Sequence, residues 1–418
     1  MPAAAVAGIF LRTRGLMISV ANDSHNSLIL QNAKVVLPDR IVARGRVEIE
    51  AGRIARIFDS PEQVPVSESS VDLAGATLFP GFIDLHIHGA AGVDVNSASV
   101  DDLRRVSEFL ARKGVTAWLP TLVPAQDEEY ERALAAIGEL MNQQASDDSA
   151  NVGARVLGVH YEGPFVNSEQ CGALHRQHFR TFNSAADLDS LPTIANHNAV
   201  HMMTIAPEIN GGIELISELR LQGWIVSIGH TRAMPDVLDA AREAGTQHMT
   251  HFMNAMSPLH HRAPGPVGWG LLNDDIGLDV IADGIHLDPM MLKVLLRCVT
   301  PSRLALISDA IAATGQGDGE YQIWGEKITI EGGRTRNAHG SIAGSVITML
   351  DAVKMMLSLG ASECDVARMA SLNPARLLGI DKDCGSIEEG KRADLVAINA
   401  DDLVQMTLVE GQLAFNGR

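Results

Sequence analysis

Cysteine is scarce and scattered in this 418-residue chain: Cys171, Cys298, Cys364 and Cys384 form no CxxC pair, which excludes both a disulfide framework and a zinc-knuckle pattern. A reducing, cytoplasmic setting is the expectation. Apolar residues make up 46% of the chain, yet no uninterrupted run approaches the ~18 residues of a membrane-spanning helix, so no membrane partner is expected. Positive charge is also in short supply. Lysine and arginine total 33 against 51 acidic residues, a net charge of −18, and this balance argues against nucleic acid or an anionic membrane surface as partner. Any anionic ligand must be held by a few placed cations. An internal repeat is missing, and so is a signal-peptide pattern: Met1 to Val20 contains Arg12 and Arg14 but no continuous apolar core followed by a small-residue cleavage site. Residues 1–26 are therefore read as a disordered extension or a misassigned start, with Met17 as an alternative initiator.

From Ser27 the chain runs SLILQNAKVVLP, RVEIEAGRIARIF and SSVDLAGATLFPG, short β-rich segments broken by Gly, Asn and Pro. The same texture returns from Gly385 to Arg418. The two ends are expected to pair into one small β-sandwich domain, residues 27–79 with 385–418. Between them, residues 80–384 alternate apolar strands with charged helical segments at Val100–Lys113, Glu128–Asn142, Gly212–Gln222 and Pro235–Glu243. That alternation implies βαβ units and a parallel sheet. Eight candidate strands begin near residues 80, 115, 155, 200, 224, 247, 277 and 303, the number of a (β/α)8 TIM-like barrel. The polar stretch Gln143 to Asn151 reads as an ordinary loop.

Five of these strands are apolar runs that end in His, Glu or Asp: His86 and His88, Glu162, His230, His251 and Asp309. In a parallel barrel the C-terminal strand ends converge on one face, so residues far apart in sequence meet there. His86 and His88 are two apart on a strand and point to the same side. An isolated HxH is equally compatible with two hydrogen-bonded structural histidines. Glu162 precedes the turn Gly163-Pro164, which leaves its carboxylate at the strand tip. Glu162, His230 and His251 are a normal oxygen and imidazole ligand set for a divalent metal, and three protein ligands leave a position open for water. Asp309 is placed to move protons beside that metal. A bland alternative makes it a helix N-cap.

The motifs PGFIDLHIHG, HYEGPFVN, IGHT, THFMNAMSPLHHRAPG, ADGIHLDP and ISDAIAATG, taken together and in this order, resemble the N-acetylglucosamine-6-phosphate deacetylases of the amidohydrolase superfamily over nearly the whole chain from Ser27. The resemblance implies hydrolysis of the N-acetyl group of an amino-sugar 6-phosphate. It makes Glu162, His230 and His251 the principal metal ligands, Asp309 the catalytic acid/base, and His286 a catalytic and substrate-contacting residue for the developing oxyanion. Ala173, Asn254 and Ala255 fall in substrate-binding segments, the last two at the phosphate. Arg262 matches a phosphate-binding arginine that the family supplies across a homodimer interface, a task suited to its planar bidentate fork. The metal is expected to be zinc, with iron, manganese or cobalt as alternatives, and the intact His86-x-His88 favours a second ion.

One feature departs from the family pattern. Many members place a sugar-contacting histidine two residues beyond the glycine of the loop NSEQCGALHRQH, where this chain has Leu174, with His175 one position later. Either the loop shifts by one residue or the sugar contact is lost. Alternatives are therefore an N-acetylgalactosamine 6-phosphate deacetylase, another N-acyl amidohydrolase, or a non-catalytic barrel scaffold. The last would be expected to lose metal ligands first, and all are present. Many relatives bridge two metals through a carboxylated lysine, and Glu162 takes that place here, which argues against a dihydroorotase or urease-like member.

Overall fold

The computed structural model describes residues 27–59, 70–146 and 152–417. The expectation for residues 1–26 lies outside the described residues, as do residues 147–151 of the stretch Gln143 to Asn151 that was expected to be a loop; its first three residues, Gln143 to Ala145, instead complete the helix Asp127–Ala145. The central body is a ring of eight parallel strands: β1 Phe82–Ile87, β2 Val115–Leu122, β3 Gly158–Glu162, β4 Val200–Ile205, β5 Ile225–Ile228, β6 His248–Met249, β7 Gly277–Ile281 and β8 Leu304–Ile307. Neighbours pair in parallel register, for example Tyr161 with Leu122, Glu162 with Thr204 and Ile281 with Ile307. Every residue of β1, β2, β3 and β8 is buried, as expected of parallel strands covered on both faces. The barrel expected from the alternation is therefore present.

The ring closes at its C-terminal rim. Ile87 of β1 bridges Ala310 in parallel, the Asp309 amide donates to the His86 carbonyl at 2.9 Å, and the His88 amide donates to the Ala310 carbonyl at 2.8 Å. The residues that close the barrel are thus neighbours of, or identical with, the polar strand tips. Amphipathic helices cover the outside, and local sequence starts them. Ser99 and Asp102 form a reciprocal capping box ahead of Val100–Ala111, Pro235 opens Pro235–Glu243, and Asp288 caps Pro289–Cys298.

Two connections break the regular alternation. Between β3 and β4 only short 3-10 turns occur, at Ser168–Gln170, Arg176–His178 and Ala185–Leu188, so this segment forms a long excursion over the barrel mouth. After β8 the chain makes a three-stranded antiparallel sheet, Gly319–Ile323, Glu326–Glu331 and Arg334–Arg336, before returning to helix at Met349–Ser358. This hairpin insertion was not among the eight expected strands.

The chain ends join as expected. Leu395–Ile398 pairs antiparallel with Thr77–Pro80, placing Val404–Val409 and Gln412–Asn416 in the same eight-stranded sheet as Leu28–Val36, Ile41–Glu50 and Arg53–Phe58. Leu30, Val35, Val47, Ile54, Leu78, Leu395 and Leu408 share its apolar core. Thr77–Pro80 runs directly into β1, so this sheet anchors the first barrel strand.

Candidate metal centre

The strand tips converge on Glu162, which is 5% exposed. Its Oε1 lies 2.9 Å from His230 Nε2, 3.0 Å from His251 Nε2 and 3.7 Å from His86 Nε2, while Oε2 lies 3.3 Å from His88 Nε2. Two overlapping ligand groups result, His86, His88 and Glu162, and Glu162, His230 and His251, with the carboxylate common to both. Asp309 Oδ1 completes the cluster 3.2 Å from His88 Nε2 and 3.5 Å from His86 Nε2. Three of these residues have left-handed backbone, His230 at φ 48°, His251 at φ 33° and Asp309 at φ 50°. Such conformations cost side-chain-bearing residues energy and gather where the surrounding structure enforces a functional geometry.

The tautomers show what the cluster is built to hold. The Gln170 carbonyl accepts from His230 Nδ1 at 2.7 Å and the Thr121 carbonyl accepts from His88 Nδ1 at 3.1 Å. A carbonyl only accepts, so both rings carry their proton on Nδ1 and turn an Nε2 lone pair inward. Those lone pairs meet carboxylate oxygen and other imidazole nitrogens: His230 Nε2 lies 3.2 Å from His251 Nε2, and His86 Nε2 lies 3.1 Å from His88 Nε2. Acceptors packed this closely need a shared cation, and a divalent metal fits the donor set. Without one, protons are drawn in instead. Burial would depress His88, but its bonds to Asp309 and Glu162 push it up to about 10. Burial opposes ionisation of Glu162 as well, yet the four imidazoles hold it well below the usual carboxylate range.

A layer of buried polar groups supports the ligands from below. Asp84 accepts from the His86 amide at 3.3 Å, the Ser308 amide at 3.2 Å and the Ser308 hydroxyl at 2.5 Å. It ties β1 to the segment carrying Asp309, and burial pushes its carboxyl up to about 7. Asp279 does the same for His251 through the His251 amide, with burial raising its carboxyl to about 8. Deeper still, His160 donates Nδ1 to the Leu85 carbonyl at 2.9 Å and faces the Thr204 hydroxyl through Nε2 at 2.8 Å. Thr204, Thr250 and Ser227 continue the chain to His248 Nδ1. Burial holds His160 down to about 4 and His248 to about 3, so both are neutral. None of these supporting groups was among the expected site residues, although Asp84 stands in the same DLHIH run at two-residue spacing.

The remaining expected residues lie around this cluster. Asn254 donates its amide to the His251 carbonyl at 2.9 Å, and its side-chain Nδ2 is buried with no hydrogen-bond partner among the described residues. Ala255, at φ 49°, accepts from the Thr231 amide at 3.1 Å. His286 is fixed after β7 by Asp283, whose Oδ2 accepts its Nδ1 at 2.7 Å. Burial would raise Asp283, but the bond and charge of His286 hold it below its ordinary value. Arg262 stands apart on an exposed turn and makes no ion pair among the described residues. Ala173 packs under the hairpin insertion, and Leu174, 7% exposed, is buried among Val123, Val166, Phe179 and Trp324. His175 points to Glu326 of the hairpin at 3.3 Å rather than to the metal cluster.

Comparison with known proteins agrees with this geometry. The sequence profile of the amidohydrolase family matches residues 77–414. N-acetylglucosamine-6-phosphate deacetylase of Bacillus subtilis (strain 168) is 35% identical over 93% of this chain and 97% of its own length. N-acetylgalactosamine-6-phosphate deacetylase of Escherichia coli O157:H7 is 38% identical over 88% of this chain and 94% of its own. The crystal structure of N-acetylglucosamine-6-phosphate deacetylase from Thermotoga maritima superposes with a TM-score of 0.82 at 33% identity, covering 93% of this chain and 100% of that one.

Proposed function

We infer that this chain, which belongs to the amidohydrolase family, is a metal-dependent hydrolase that removes the acetyl group of N-acetyl-D-glucosamine 6-phosphate to give glucosamine 6-phosphate and acetate. The observation that carries the reading is the pair of carbonyl-locked imidazoles, His88 and His230, which aim Nε2 lone pairs at the two oxygens of Glu162. Deacetylases of phosphorylated N-acetylhexosamines match this chain over most of their length.

The donor set suits one divalent ion at Glu162, His230 and His251 and a second at His86 and His88, with zinc first and iron, manganese or cobalt as alternatives. When bound, such an ion supplies Lewis acidity to the amide carbonyl and makes hydroxide accessible near neutral pH. Asp309 takes the proton of the attacking water and delivers it to the leaving amine. His286, oriented by Asp283, donates to the carbonyl oxygen as charge develops there. Asn254, whose Nδ2 has no hydrogen-bond partner among the described residues, and the backbone at Ala255 receive the phosphate. Arg262, exposed and without an ion pair among the described residues, suits a role at a neighbouring subunit's site in a homodimer. The four cysteines are free, which supports a reducing, cytoplasmic location, and among the described residues no helix is long and apolar enough to cross a membrane.

A second reading, in which the physiological substrate is the galactosamine epimer, is favoured by the 38% identity to the Escherichia coli N-acetylgalactosamine-6-phosphate deacetylase and by Leu174 in the sugar loop. Acetate release should be measured from phosphorylated and unphosphorylated N-acetylglucosamine and N-acetylgalactosamine, with metal content determined on the same sample. Turnover of the glucosamine phosphate at least about tenfold above the others supports the first reading. A protein that holds no divalent ion and releases no acetate after metal reconstitution overturns both.

A further inference from the structure

The hairpin inserted after β8 turns at Trp324 and Gly325, both with positive φ, 53° and 75°. A two-residue turn of that kind calls for Asn or Gly at its first position, and a bulky aromatic there is an outlier. The indole is held in this strained position against the metal cluster: its ring meets the His88 ring edge-on, with centroids 5.2 Å apart. It also packs on Val123, Val166 and Leu174. Its Nε1 is buried and, among the described residues, makes no hydrogen bond of ordinary geometry, although it is near enough to Asp94 to favour that residue's charged form. A contact of 3.3 Å between Glu326 and His175 Nε2 ties the hairpin to the β3 excursion. Trp324 and Leu174 therefore form an apolar wall over the β1 to β3 side of the barrel mouth.

Asn254 and Ala255 occupy the opposite, β6 side. A trans amide whose carbonyl sits at the metal cluster directs its acyl substituent away from the sugar on its nitrogen. With the phosphate at Asn254 and Ala255, that substituent points to the wall. We propose that Trp324, backed by Leu174, is a specificity-determining residue that receives the acyl methyl group and limits acyl length. The proposal rests on the deacetylase reading above.

The test is a series of N-acetyl, N-propionyl and N-butyryl glucosamine 6-phosphates, with unphosphorylated N-acetylglucosamine as control, on metal-loaded wild type and Trp324→Gly. Glycine adopts the turn's left-handed conformation without strain, and equal metal content checks that the site is intact. In the wild type, kcat/KM should fall about tenfold or more for each added methylene. In Trp324→Gly the butyryl-to-acetyl ratio should rise at least about tenfold while the preference for the phosphorylated sugar stays the same. A flat wild-type series overturns the proposal even if the variant does not fold, and so does an unchanged acyl ratio in a folded, metal-loaded variant. A wild type that hydrolyses none of the compounds overturns the deacetylase reading itself, an outcome distinct from either.

Discussion

The carbonyl of Gln170 accepts the Nδ1 proton of His230 at 2.7 Å, so one bond couples the excursion carrying Ala173 and Leu174 to the tautomer of His230, a proposed metal ligand. Gly172 lies two residues after Gln170. It adopts φ 57°, and a Cβ added to it would come within 3.6 Å of His230 Cε1. Gly172→Val places a branched residue in a left-handed conformation that costs it roughly 1–2 kcal/mol, and a backbone shift that relieves this strain would displace the Gln170 carbonyl. Metal affinity should fall about 10- to 100-fold, the usual cost of losing a ligand's orienting partner. Competition with a chromogenic chelator measures this, and unaltered affinity in a folded variant would show that the carbonyl does not orient His230.

Glu208 holds the other side of the same ligand. Its carboxylate accepts from the Arg232 amide at 2.6 Å, the Thr231 hydroxyl at 2.5 Å and the Asn167 side chain at 2.8 Å. Thr231 in turn donates its amide to the Ala255 carbonyl and accepts from the Ser257 amide. Glu208→Gln keeps the shape but turns an NH2 group toward one of these donors. Because the clamp joins His230 to the segment proposed to bind phosphate, KM for the phosphorylated sugar should rise about tenfold, with kcat at saturating metal changing much less. An equal loss with the unphosphorylated sugar would contradict the link to phosphate.

The metal-free protein should lose stability as the pH rises. Burial lowers the proton affinity of His88, but Asp309 and Glu162 overcome this and push it from 6.5 up to about 10. A group whose folded value is raised stabilises most below its unfolded value and loses that contribution as the pH climbs through the folded one. The effect is therefore full below about pH 6.5 and fades toward pH 10. A cation entering the site must displace the same proton, so apparent metal affinity should increase over the same window. Melting temperatures of chelator-stripped wild type and His88→Asn between pH 6 and 9 separate this effect from other titrations. The stripped wild type should lose its advantage over the variant with rising pH; a constant gap would refute the assignment.

Much of this arrangement was legible because parallel barrel strands, buried on both faces, read as apolar runs in which a terminal His, Glu or Asp stands out. His86, His88, Glu162, His230, His251 and Asp309 were visible in that way. Asp84 and Asp279 were not singled out, because their partners are the backbone amides of His86 and His251 and only the folded register supplies those. The hairpin around Trp324 carried a signal in the alternation of EYQIWGEKITIE, whose exposed and buried positions take turns along Glu326–Glu331. An eight-strand barrel has no place for it, so the pattern went unread. Leu174 shows the limit most clearly. Its departure from the family pattern is plain in sequence, but its burial against Trp324 depends on an insertion about 150 residues downstream that closes over the same mouth.

Asp309 is the sharpest case for separating metal binding from chemistry. It has a left-handed backbone fixed on both sides: its amide donates to the His86 carbonyl at 2.9 Å, and its carbonyl accepts from the Ser345 amide at 2.7 Å. Gly344 allows this approach, since a Cβ there would lie 2.9 Å from the Asp309 carbonyl oxygen. The side chain can therefore change chemistry without leaving its place. Asp309→Asn retains the shape but cannot accept a proton, so turnover should fall by about a hundredfold or more, the scale of general acid/base loss. The ion at Glu162, His230 and His251 should be retained, because Asp309 contacts His86 and His88 rather than those ligands. Elemental analysis beside initial rates decides between the roles. Full metal content with turnover lost supports proton transfer by Asp309, whereas turnover close to wild type would remove Asp309 from the chemistry and leave it only as a rim contact to His86 and His88.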